Sequence, residues 1–169
     1  LQTGVGLEDV TTFGKYLGGS ATNVAVAAAR LGNRTAVLTA VGDDPLGRFV
    51  TAEIARLGAH PIAPALEGRR TPITLCEIFP PDDFPLYFYR DAQTPDLAIT
   101  PDLLPDVAAP AILWVTLSGF SREPSRTTHV TALERRGRAR HTVIDLDYRP
   151  TFWDDPAEAR TWARTALSH

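Results

Sequence analysis

A double glycine stands directly ahead of an alanine-dense run, in the segment Gly18-Gly19-Ser20-Ala21-Thr22-Asn23. Two residues without side chains let a ligand come within contact distance of the main chain, and the first N–H groups of a following helix are donors with no intrahelical acceptor. That chemistry suits hydroxyl or anionic groups. Asn23 adds a side-chain amide, donor and acceptor together, which matches the double character of a sugar hydroxyl. A tight strand-to-helix turn needs glycine for steric reasons as well, so the pair alone leaves both roles open.

A second constellation lies at Asp145-Leu146-Asp147-Tyr148-Arg149-Pro150. Arg149 follows a buried-strand pattern and precedes a proline that restricts the chain. A planar guanidinium held there is the best bidentate partner for a carboxylate. Ligands of open α/β sheets bind outside the carboxyl ends of the strands, where Asp147 and Arg149 would stand. The alternative for Arg149 is a solvated side chain or an internal ion pair with Asp147 or Asp154. Arg90 ends the run Tyr87-Phe88-Tyr89-Arg90 and is placed either to close on an acidic ligand or to stay a rim charge. Alternation along that run puts aromatic rings, Tyr89 among them, on a face that covers a sugar or fills a small lid core.

Other features have plainer readings. Arg135, Arg136, Arg138 and Arg140 follow a helical pattern, where positive charge complements the helix dipole, and are expected as a solvated face. His60, His129, His141 and His169 lack ligand spacing, so no metal site is expected. Cys76 is expected as a small buried hydrophobe. Tyr148 and Trp153 are expected to pack the connection after the strand. Ser118-Gly119 lacks the surrounding glycines of a hydrolase elbow. The double glycine is neither a phosphate-cradling loop, which needs a Gly-Lys-Ser/Thr ending, nor a dinucleotide fingerprint, which needs a third glycine and a later acid.

These groups must be held by an α/β alternation. Helices are expected over 22–31, 45–57 and 124–136, with buried strands at 35–41, 111–117 and 141–146. Asp155-Pro156-Ala157-Glu158 opens a further helix as a capping arrangement. Residues 71–79 and 86–89 form a hairpin around Pro80-Pro81-Asp82-Asp83-Phe84-Pro85, with 11–17 free to pair with it as a small lid, and 92–110 connect with one short helix. The chain has 169 residues with 17 Lys plus Arg against 20 Asp plus Glu, a net charge of -3 that gives no electrostatic reason to expect nucleic acid or an anionic membrane. Hydrophobic residues make up 44%, enough for one sizeable core. No run approaches the roughly 18 apolar residues of a spanning helix, and a cytoplasmic protein is the expectation. The first residue is not Met and the last helical pattern runs into His169, so the chain is read as an excerpt from a longer one.

The run from Gly18 through Asn23, Ala25 and Gly32 to Gly42-Asp43-Asp44-Pro45-Leu46-Gly47 resembles the N-terminal signature of the ribokinase-like sugar kinases, the phosphofructokinase B family. Thr12-Phe13-Gly14-Lys15-Tyr16-Leu17, Glu67-Gly68-Arg69-Arg70, Tyr89-Arg90-Asp91 and the Asp145 to Trp153 segment look like the branch acting on 5-dehydro-2-deoxygluconate in myo-inositol breakdown. They are similar also to the 2-keto-3-deoxygluconate branch. The resemblance implies an α/β three-layer sandwich with a mostly parallel sheet and a β lid, its lid strands near 7–17 and 71–90. Residues 1–169 would be the N-terminal part of one kinase domain, with the ATP-binding part and the catalytic base outside it. It further implies transfer of the ATP γ-phosphoryl group, with Mg2+, to a primary hydroxyl of a sugar acid. Gly18, Gly19, Asn23, Tyr89, Arg90, Asp147 and Arg149 would bind that substrate. The implied partners are the sugar acid and ATP, with a homodimer through the lid strands, and this chain alone would be inactive. The rivals are a kinase for another sugar and, in another class, a non-catalytic sugar-acid sensor.

Overall fold

The computed structural model of the chain describes residues 2–91 and 93–169, so Leu1 and Ala92, the latter in the expected connecting stretch, lie outside the described residues. Four helices stand where apolar periodicity and start signals put them: α1 (Ser20–Arg30), α2 (Pro45–Arg56), α3 (Ser125–Arg136) and α4 (Pro156–Leu167). The caps of α2 and α4 work through the same chemistry. Asp44 accepts from Gly47 N at 2.7 Å and Asp155 from Ala157 N at 2.8 Å, each ahead of a proline whose missing N–H costs nothing in the first turn.

Eight short strands make four two-stranded pairs. β1 (Ala36–Leu38) runs parallel to β3 (His60–Ile62), and β2 (Val41–Gly42) parallel to β4 (Ala65–Leu66). Thr39 N to Ile62 O and Val41 N to Pro64 O join these two pairs into one ladder. β3 and β4 are not expected from sequence, because Pro61 and Pro64 give that stretch the look of a loop. β5 (Ile73–Cys76) and β6 (Leu86–Tyr89) form the expected antiparallel hairpin, and β7 (Ile112–Thr116) runs parallel to β8 (His141–Asp145) with Thr116 opposite Asp145. Helix α1 packs against both β1 and β7.

Two cores result. Val115, Leu117, Phe120, Leu133, Trp153 and Ala159 pack β7 and its following turn against α3 and α4, and Trp153 fills the connection as expected while Tyr148 stays exposed. Val37, Ile54 and Ala59 form the second core, closed by Leu17, Ala25 and Val50.

Three expectations need correction. Residues 11–17 form no strand: Lys15 lies 4.1 Å from the Phe49 ring centroid and Leu17 packs into the second core, so this stretch is spent on α2 and not on the hairpin. The lid is tied instead through Gly4 N to Ile78 O and Leu7 N to Glu77 Oε1, both at 2.8 Å. Cys76 is exposed at the end of β5, opposite Leu86, which is exposed as well. In the arginine run Arg135, Arg138 and Arg140 are exposed as expected, but Arg136 is not part of a solvated face. Arg136 is only 3% exposed, and its guanidinium donates to the carbonyls of Val107, Ala108, Pro110, Ala111 and His141 at 2.5 to 3.3 Å. Arg138 donates to the carbonyls of Ser168 and His169 at 2.7 and 2.8 Å, capping the end of α4.

Arg136 thus ties the approach to β7, the end of α3 and the start of β8 through one fork. Replacing it by Met leaves several buried carbonyls without donors, and the expected loss is more than about 3 kcal/mol by chemical denaturation. Arg136→Lys recovers less than about half of that, since an ammonium cannot span the same acceptors. Equal stability of the Met variant and the parent would contradict this assignment.

Candidate functional site

The end of β8 is shaped by its own acids. Asp145 accepts from Asp147 N at 3.0 Å, a turn that delivers Arg149 to the start of a single helical turn, Pro150–Phe152. Arg149 donates through Nε to Asp147 Oδ2 at 3.0 Å, with Nη2 equally close. The internal ion pair left open by the sequence therefore forms. Its partners are 45% and 40% exposed, so water screens the attraction and an incoming carboxylate can compete for the guanidinium.

The hairpin lies down on the same turn. Phe88 meets Phe152 edge to face at 5.1 Å between centroids, and the Arg90 guanidinium sits 5.0 Å from the Phe152 centroid. Arg90 Nη2 also contacts Asp96 at 2.6 Å, in a pair mostly shielded from water. Alternation sends Tyr87 and Tyr89 the other way. The Tyr87 hydroxyl donates to Glu77 Oε2 at 3.1 Å, and that carboxylate holds the phenol pKa above its ordinary value. Tyr89 is 65% exposed. The structure thus brings Arg90 to the segment carrying Asp147 and Arg149, and leaves Tyr89 on the outer face of the lid.

A clip fixes the base of the hairpin. Asp44 accepts from Thr71 N at 2.7 Å and from Thr71 Oγ1 at 3.0 Å, while Thr71 Oγ1 accepts from Gly42 N at 3.0 Å. Burial pushes the Asp44 pKa up, but the donors on Thr71, Gly47 and Leu46 outweigh it and hold the carboxyl below its usual value. One carboxylate therefore caps α2 and anchors β5. The expected helix start rests on Pro45 with no cap assigned to Asp44, and the Thr71 half, 27 residues away, has no local signal.

The two glycines differ. Gly19 has φ 101°, a region other residues enter only under strain, so its need is conformational. Gly18 has open space, with no atom within 4 Å of the position a Cβ would take, so the fold itself does not demand a glycine there. Asn23 is exposed, and its side-chain amide makes no hydrogen bond among the described residues. No hydrogen bond or ion pair among them links the Gly18 to Asn23 segment with Arg90, Asp147 or Arg149. Neither of two cavities, about 450 Å3 between α2 and β2–β4 and about 90 Å3 beside Arg90, is lined by Gly18, Gly19, Asn23 or Arg149.

The comparisons with known proteins place this arrangement. The family model described as pfkB family carbohydrate kinase matches residues 2–169. The chain belongs to that family. It is 32% identical over 167 residues to a 5-dehydro-2-deoxygluconokinase of Bacillus anthracis (strain CDC 684 / NRRL 3495), covering 95% of this chain and 49% of that protein. The chain spans about half the length of the curated relatives it matches. Among solved structures it resembles an uncharacterized sugar kinase from Pyrococcus horikoshii in complex with ATP, with a TM-score of 0.88 at 22% identity over 99% of this chain and 55% of that one. A PfkB protein from Polaromonas sp. JS666 gives a TM-score of 0.89 at 20% identity, over 98% and 57%. The fold is thus the expected ribokinase-like α/β arrangement.

Within this pfkB-family chain the described residues hold no group of three or more His, Cys, Asp or Glu side chains placed to grip a metal ion. No step involving ATP is assigned to them. Sequence reasoning missed Thr71, Phe152 and Arg122, whose roles depend on contacts made far along the chain.

Two outcomes follow. In the full-length protein Gly18→Ala keeps stability within about 0.5 kcal/mol but weakens an acceptor by at least about tenfold, whereas Gly19→Ala costs about 1–3 kcal/mol of stability; denaturation and acceptor KM separate them. Asp44 has a depressed folded pKa, so its contribution is complete above the unfolded value near ~4 and is lost as pH falls through the folded one. Asp44→Asn should therefore lower stability by about 1 kcal/mol at pH 7 and converge with the parent in acid. A gap that persists unchanged below pH ~2 would refute this.

Proposed function

We propose that the protein containing this chain is a cytoplasmic kinase that transfers the γ-phosphoryl group of ATP to the primary hydroxyl of a keto-deoxy sugar acid, 5-dehydro-2-deoxygluconate foremost, in myo-inositol breakdown. Membership of a carbohydrate kinase family and relatives named 5-dehydro-2-deoxygluconokinase support the reaction class and acceptor. The single structural observation that carries the sugar-acid reading is the convergence on one turn. Arg90 of the lid sits over the ring of Phe152, whose N–H bonds the Arg149 carbonyl, so the lid cation is held against the turn that carries Arg149.

Each group has a role that follows from its chemistry. Gly18, with its open approach, and the α1 N–H groups receive sugar hydroxyls, and the free amide of Asn23 donates to one oxygen while accepting from another. Arg149 exchanges Asp147 for the substrate carboxylate, and Asp147 is then free to accept from a sugar hydroxyl. Arg90 and the hairpin close over the acceptor and exclude water, with Tyr89 on the outer face contributing where a second subunit covers it. Ile73, Tyr87 and Tyr89 leave that face apolar and exposed, which supports a homodimer through the lids. ATP with Mg2+ supplies the phosphoryl group. The residues present orient the acceptor and no carboxylate among them is assigned as the base, so the 169-residue chain by itself is inactive.

The test is a coupled ADP-release assay on the full-length protein with 5-dehydro-2-deoxygluconate, 2-keto-3-deoxygluconate and fructose. A sugar acid is expected to exceed fructose in kcat/KM by about a hundredfold, and Arg149→Gln to raise the acid KM by about 10- to 100-fold with little change for fructose. Preference for fructose would overturn the acceptor, and absence of any phosphorylation with intact ligand binding would favour a sensor.

A further inference from the structure

The cavity of about 90 Å3 beside the lid is lined by Arg90, Asp91, Leu97, Ser121, Arg122, Thr151 and Phe152. Its two arginines come from different elements. Each is held from another side by its own acid. Arg122 donates Nη1 and Nη2 to the two oxygens of Asp154 at 2.5 and 2.6 Å, and Arg90 meets Asp96 at 2.6 Å. A guanidinium has five N–H groups, so an end-on pair with one carboxylate leaves Arg122 three unused donors.

The wall behind Arg122 is fixed. Ser121 is 1% exposed, its hydroxyl donates to Ser118 O at 2.7 Å, and its carbonyl accepts from Arg126 Nη2 at 2.9 Å. Asp154 is the loose member of the arrangement, with a side chain 75% exposed, so its bond to Arg122 is easily exchanged. Thr151 adds a hydroxyl. With Asp91, Asp96 and Asp154 around two arginines, a singly charged anion fits better than a phosphate dianion.

We propose that this cavity seats a ligand carboxylate between Arg90 and Arg122, with Asp154 standing in for that carboxylate while the site is empty, so that Arg122 shares the acid group with Arg149 and adds to the specificity for acids. As a statement about substrate it rests on the sugar-acid reading; as a statement about binding it does not.

The experiment is calorimetric titration of the full-length protein, without nucleotide, with gluconate, glucose and inorganic phosphate, alongside acceptor kinetics. Arg122→Gln is expected to weaken gluconate about 10- to 100-fold and leave glucose unchanged. Asp154→Asn removes the internal competitor and is expected to tighten gluconate about two- to fivefold. A purely structural ion pair would make both variants weaken binding or neither. That result overturns the proposal, as does phosphate binding without gluconate binding, or no gluconate binding by the parent at tens of millimolar. If the parent prefers fructose as acceptor while gluconate binding still depends on Arg122, the sugar-acid reading fails and this site stands.

Discussion

Phe152 is the contact on which the candidate site depends. Its ring takes the edge of Phe88 and the guanidinium of Arg90, both from the hairpin, while its own backbone closes the turn that begins at Arg149. Without that ring the lid would keep its ties at the base, along Gly4 and Leu7 and through the Arg90–Asp96 pair, but would lose its contact with the turn after β8. An aromatic side chain suits this task because its face accepts a cation and its body buries apolar area at the same time.

Charge is stored in this region as exchangeable pairs. Arg149 with Asp147 and Arg122 with Asp154 are each partly open to water, where an ion pair contributes about 0–1 kcal/mol and an incoming acid can replace the internal one at little cost. Arg136 shows the opposite use of the same side chain. It is buried without an acid partner and held by carbonyl oxygens at the C-terminal end of α3, where the helix dipole favours positive charge. The difference is burial: Arg136 is shielded and bonds five carbonyls through its two terminal nitrogens, though its Nε has no partner among the described residues, and so is structural, while a half-exposed arginine remains available to a ligand.

The legible parts of the chain were those governed by near neighbours. The four helices, the cap at Asp155, the hairpin and the buried strands β7 and β8 all follow from periodicity, proline and acid placement within a few residues. The failures share a cause. β3 and β4 were hidden by Pro61 and Pro64, since a proline weakens the local signal for a strand even where a neighbouring ladder accommodates it. Residues 11–17 had strand-like composition but found better packing on α2, and Cys76 lies at the end of β5, where neither it nor its partner Leu86 is covered.

From sequence alone came the helix starts, the glycine pair before α1 and the arginine placed after a buried strand, because backbone preference and side-chain chemistry are local properties. Tertiary structure alone decided that Arg90 rests on Phe152, that Thr71 shares Asp44 with a helix cap and that Arg136 is buried while Arg140 is not. Those outcomes depend on which distant atoms arrive within about 3 to 5 Å, and spacing along a chain does not encode such distances for residues tens of positions apart.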